Sequence, residues 1–141
     1  MRNGPTAAFL ISAFLMPLMA GGAAAQTIQF TVRELALKSG ESSEIGDVYF
    51  ISTHCKSLLK STPEVEILDG PPGVTAVINP AKVVPRGWGC ASPVAGGKLV
   101  ISAKDVEEYS HSRMVLRINY KTLSGDRQRA SNINLTLFPP N

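Results

Sequence analysis

Past residue 25 no stretch holds a helical period of apolar residues over ten or more positions. The repeated signal is alternation, bounded by Gly, Pro, Asp and Asn. It is clearest in residues 112–122 (SRMVLRINYKT). There Met114, Leu116, Ile118 and Tyr120 share one face, and Arg113, Arg117, Asn119 and Lys121 share the other, with Val115 among them. Leu123-Ser124-Gly125-Asp126 reads as a turn. In residues 129–138, Ile133, Leu135 and Leu137 then alternate with Asn132, Asn134 and Thr136. This pattern predicts a two-stranded hairpin with one apolar and one polar face.

The rest of the chain gives shorter strands. Ile28, Phe30 and Val32 alternate with Thr27, Gln29 and Thr31. Leu35 and Leu37 continue at odd positions, which suggests a shift of phase near Arg33-Glu34, for instance at a bulge. Residues 47–52 (DVYFIS) form an apolar run of the kind buried on both faces. Residues 55–63 (CKSLLKSTP) read either as a short helical turn closed by Pro63 or as an irregular loop. Residues 64–68 (EVEIL) and 74–78 (VTAVI) are strands separated by the turn residues DGPPG. The second ends at Asn79-Pro80. Residues 79–98 form the longest loop-like stretch, with a short edge strand possible at 82–84. A strand at 98–102 (KLVIS) follows, and residues 104–109 (KDVEEY) fit one helical turn. Seven or eight short strands at intervals near ten residues predict an all-β antiparallel sandwich or small barrel.

The first residues bear on compartment. Arg2 supplies a positive start, and residues 7–20 (AAFLISAFLMPLMA) are apolar and uncharged. Pro17 interrupts the run and GGAAA follows it. Ala23 and Ala25 fit the small-x-small rule for signal peptidase, with cleavage before Gln26. The competing reading, a membrane anchor, needs about 20 apolar residues, and this run is shorter. The expectation is a signal peptide over 1–25 and one domain over 26–141, in the periplasm or secreted. About 116 residues suffice for one core. Net charge is +3 for the whole chain, and the leader contributes one of those charges. So weak a balance neither requires nor excludes an anionic partner, and nucleic acid is not expected for an exported domain.

Cys55 and Cys90 are the two cysteines. In an oxidising compartment such a pair is expected to form a disulfide, stabilising the fold by about 4 kcal/mol in the chain-entropy model. Free thiols or a metal site with the neighbouring His54 are the alternatives. Zinc ligands usually come in close pairs such as C-x2-C, and that spacing is missing here.

The C-terminal half resembles bacterial immunoglobulin-like domains of exported and surface proteins. The resemblance rests on AGGKLVIS, AKDVEEYSHS, RMVLRINY, KTLSGDRQ and ASNINLTLF, taken in order. It implies an immunoglobulin-like sandwich with a binding or structural role. The cysteines depart from the antibody pattern. They are about half as far apart, and Trp88 lies two residues before the second instead of between them.

Candidate chemistry is sparse. There is no G-x-S-x-G elbow and no Walker spacing around AGGK, whose glycines read as turn formers. His54 and His111 sit in polar surroundings. Glu64/Glu66 and Glu107-Glu108 read as solvated faces. Arg113, Arg117 and Lys121, followed by Arg127 and Arg129, form a basic strip opposed in sequence only by Asp126. It is either a site for anionic glycan, lipid head group or acidic protein, or an ordinary solvent face. Arg86 and Trp88 form either an exposed recognition loop or, for Trp88, a cap over the core. The chain therefore reads as a non-catalytic envelope domain without cofactor or metal, its binding candidates being Arg86, Trp88, Arg113, Arg117 and Lys121. The rivals are a small periplasmic inhibitor of a lysozyme or protease, presenting residues 85–97, and a hydrolase.

Overall fold

The computed structural model describes Gly4, the backbone of residues 26–30, and residues 34–141 with their side chains. The expected leader thus lies, Gly4 apart, outside the described residues. Eight strands follow in order: β1 (Gln26–Phe30), β2 (Glu34–Lys38), β3 (Ser42–Ile51), β4 (Glu64–Asp69), β5 (Val74–Val83), β6 (Val94–Ala103), β7 (Ser110–Thr122) and β8 (Gly125–Phe138). They form two four-stranded sheets, ordered β1-β3-β6-β5 and β2-β8-β7-β4. All pairings are antiparallel except that of β2 with β8. Taking β1 and β2 as two halves of one first strand, this is the strand order of an immunoglobulin-type sandwich. The phase shift is expected near Arg33-Glu34; residues 31–33 lie outside the described residues, but the strands on either side belong to different sheets, β1 pairing with β3 and β2 with β8.

The core lies between the inner faces. Leu35, Leu37, Met114, Leu116, Ile118, Ile133, Leu135 and Leu137 line it from one sheet. Ile45, Val48, Phe50, Ile78, Leu99 and Ile101 meet them from the other. Phe50 and Tyr120 pack ring against ring across the gap, centroids 5.4 Å apart. The β7–β8 hairpin is as the alternation predicts, with Leu123 and Ser124 as its two loop residues. Thr122 Oγ1 donates to the Gly125 carbonyl at 2.6 Å and accepts from Ser124 N–H at 3.2 Å, tying the turn.

A register shift between Glu44 and Gly46 is a bulge in β3. It lets both Ile45 and Val48 reach the core while Glu44 and Asp47 meet Lys98 on the outer face, at 3.4 and 2.6 Å. The Asp47 contact, chiefly, raises the Lys98 pKa.

Three expectations are corrected. β5 does not end at Asn79-Pro80 but runs on to Val83. Pro80 is tolerated because β5 is the edge of its sheet. β6 begins at Val94, so Gly96 and Gly97 lie within a strand and are not turn formers. A Cβ on Gly96 would run into the Val48 carbonyl, and one on Gly97 into the Ile78 side chain, so close approach demands glycine there. Residues 104–109 contain bends and no helical turn, and Asp105 takes a left-handed φ of 55°.

Candidate functional site

Three connections meet at one end of the sandwich: residues 52–63 between β3 and β4, 84–93 between β5 and β6, and 123–124 between β7 and β8. The first is an irregular loop, the second of its two sequence readings. Ser52 organises its start: its N–H donates to the Lys56 carbonyl at 2.8 Å, and its carbonyl accepts from Cys55 N–H at 3.0 Å. Lys60 N–H donates to the Lys121 carbonyl and Leu123 N–H to the Leu58 carbonyl, at 2.8 and 3.0 Å. Those bonds fasten the loop to the β7–β8 turn. On its other side, the Cys55–Cys90 disulfide, with Cα atoms 5.7 Å apart, fastens it to residues 84–93. Cys55 holds a left-handed φ of 60°.

The disulfide stands on a second apolar cluster, separate from the inter-sheet core. Tyr49, Ile51, Val83, Cys90 and Val94 are buried there on the outer face of the β1-β3-β6-β5 sheet, with Cys55 packed against them. This is why DVYFIS lacks a polar face: Val48 and Phe50 turn inward, while Tyr49 and Ile51 lie beneath the folded-back loop. Pro85 is buried at its foot. The Pro85 carbonyl accepts from Trp88 N–H at 3.1 Å and Cys90 N–H at 3.2 Å, closing a 3-10 turn over Arg86–Trp88. Gly89 ends the turn at φ 77°, a conformation suited to glycine.

Trp88 is 48% exposed, so it is not a core residue. It borders the second cluster at Tyr49, whose hydroxyl is buried without a well-formed hydrogen bond among the described residues. Burial raises the Tyr49 pKa; the Trp88 side chain acts against that, and the Asp47 carboxylate adds to it. Arg86 beside it is exposed.

The basic strip divides. Arg113, Arg117 and Lys121 share the outer face of β7, but Arg127 and Arg129 pair in register with Tyr120 and Ile118 and so belong to the opposite face. On the outer face β4 brings Glu64 and Glu66 beside Asn119 and Arg117, and Asp126 lies opposite Lys121. Arg117 Nε donates to Glu66 Oε1, and Asn119 Nδ2 joins it at 3.2 Å. The Arg117 hydrogen bond, above all, lowers the Glu66 pKa. This face is therefore mixed in charge. Sequence adjacency missed this because β4 is about fifty residues from Arg117 in the chain.

The histidines do not converge. His111 opens β7 and bonds to Thr136 Oγ1 at 2.8 Å. His54 belongs to the loop fastened to the far end of β7 and touches Thr53 Oγ1 at 3.2 Å. At about 3.4 Å per residue, β7 separates them by roughly 30 Å. Among the described residues, no group of three or more His, Cys, Asp or Glu is placed to hold a metal ion. Among the described residues no helix is long and apolar enough to cross a membrane.

No family model matches the chain, and no curated protein matches its sequence.

Proposed function

We propose that the chain is an exported, non-catalytic binding domain of the cell envelope, of the bacterial immunoglobulin-like kind, whose contact surface is the loop end. One observation carries this reading. Residues 86–92 project Arg86 and Trp88 to solvent from a base fixed by the disulfide, Pro85 and the Tyr49 cluster. A half-exposed Trp beside an exposed Arg, held on a rigid base, loses little conformational entropy on binding. The disulfide accords with an oxidising compartment, and residues 1–25 accord with export through a cleaved leader.

The test places a photo-crosslinking residue at position 87, and separately at 108 at the other end, in protein returned to its native envelope. Crosslinks at 87 that vanish with Trp88→Ala, while the melting temperature falls by only a few degrees, are expected. Equal labelling from both positions overturns the assignment. The same rigid loop favours a second reading, a small periplasmic inhibitor of a lysozyme or protease presenting residues 85–97. Of these, 86–92 form the projecting part, and 94–97 are fixed in β6. Dose-dependent inhibition lost on Trp88→Ala separates it from the first reading.

A further inference from the structure

The two ends of the sandwich differ in charge far more than the net +3 implies. Lys56, Lys60, Lys82, Arg86, Lys121 and Arg127 stand exposed at or beside the loop end. None of them forms an ion pair with a described residue. Their acidic neighbours there are Asp126, opposite Lys121, and Glu64 at the head of β4. At the other end, Asp69, Asp105, Glu107 and Glu108 are exposed around the β4–β5 and β6–β7 connections, with Glu41 at the β2–β3 turn. Lys104 and Arg113 are the exposed cations there, with Lys38 half-buried at the end of β2, so acidic groups still outnumber basic ones. The domain is thus a dipole along its long axis. Near an anionic surface it turns with the loop end first, because the far end is repelled.

The loop end is also apolar in the right places. Trp88 and Leu123 are 48% and 67% exposed, and they flank the 52–63 loop on opposite sides. An exposed indole and an aliphatic side chain set among lysines and arginines match a lipid-water interface, where Trp is favoured and cations meet head-group phosphates.

We infer that the loop end docks on the anionic head groups of a lipid surface, with Trp88 and Leu123 entering the interface and Lys56, Lys60, Arg86, Lys121 and Arg127 meeting the phosphates. This rests on the reading of the loop end as the contact surface and names what it contacts. Each basic residue near such a surface contributes about fivefold in partitioning.

The experiment is co-sedimentation of the protein lacking residues 1–25 with phosphatidylglycerol–phosphatidylcholine vesicles and with phosphatidylcholine vesicles alone. The expected result is binding to the anionic vesicles only, weakening as salt rises. Lys56→Gln with Arg86→Gln should weaken it about thirtyfold. Trp88→Ala should weaken it without changing the salt dependence, and Glu107→Gln with Glu108→Gln should leave it intact. Melting temperatures confirm that each variant is folded. No binding at low salt, equal binding to neutral vesicles, or binding indifferent to the loop-end variants overturns the inference. Poly-glutamate binding that needs Arg86 and Trp88, with no vesicle binding, also overturns it in favour of an acidic protein partner. That last outcome leaves the loop end as the contact surface, whereas crosslinking indifferent to position 87 removes both.

Discussion

Cys55 and Cys90, 35 residues apart in the chain, join the β3–β4 loop to the β5–β6 loop on the outer face of one sheet, away from the inter-sheet core. Replacing both by Ala should cost about 3–4 kcal/mol, measured by urea unfolding against the oxidised parent. The second cluster should loosen first, because Cys90 belongs to it and Cys55 packs against it. Hydrogen exchange should therefore rise at residues 84–93 before it rises in β7. Equal exchange in both segments would show that the disulfide braces the whole sandwich and not this loop.

Trp88→Ala should cost about 1 kcal/mol, well below the 3–5 kcal/mol typical of a buried aromatic, because half of the side chain is already in water. A loss of 3 kcal/mol in chemical denaturation would return Trp88 to the core.

The Tyr120 hydroxyl is buried in the core without a hydrogen-bond partner among the described residues. Tyr120→Phe keeps the ring contact with Phe50 and removes a group that costs about 1–3 kcal/mol to bury unpaired. The variant should be as stable as the parent or more so. Burial also holds the Tyr120 phenol protonated well above the ordinary value of 10.0, with Arg129 opposing the shift. Because the folded pKa is raised, this contribution is fully present below pH 10.0. It falls as pH rises further, where the unfolded chain ionises and the folded one does not. Thermal scans at increasing alkaline pH should show a steeper loss of stability in the parent than in Tyr120→Phe.

Gly96→Ala should cost about 1–3 kcal/mol, since its Cβ has backbone and not a flexible side chain to displace. Gly89→Ala, with open space around it but a positive φ, should cost about 1 kcal/mol. The reverse order in denaturant titrations would mean that the loop is held more tightly than the strand.

Thr122→Val should cost about 1–2 kcal/mol, because the shape is kept while the Gly125 carbonyl and Ser124 N–H lose their partner. The expected signature is early exchange of the β7–β8 turn amides.

Local pattern determined most of the sandwich. Met114, Leu116, Ile118 and Tyr120 are buried as their alternation requires, and so are Ile133, Leu135 and Leu137. The period of two is a property of the strand itself, so it is written in the sequence. The unbroken run around Tyr49 likewise announced burial on both faces, and the pair of cysteines announced the disulfide. What lay over Tyr49, and which elements the disulfide tied, could not be read, because both depend on segments about forty residues apart meeting.

The charges show the same divide. Along the chain Arg113, Arg117 and Lys121 make a basic strip. In the fold β4 inserts Glu64 and Glu66 beside it, and register turns Arg127 and Arg129 to the other face. The cations without an ion pair among the described residues gather instead from separate connections at one end: Lys56, Lys60, Arg86, Lys121 and Arg127. A strand face is fixed by neighbours two residues apart, so the sequence determines it. A sheet neighbour or a cluster of loops is fixed by strand order, and only the tertiary structure decides it.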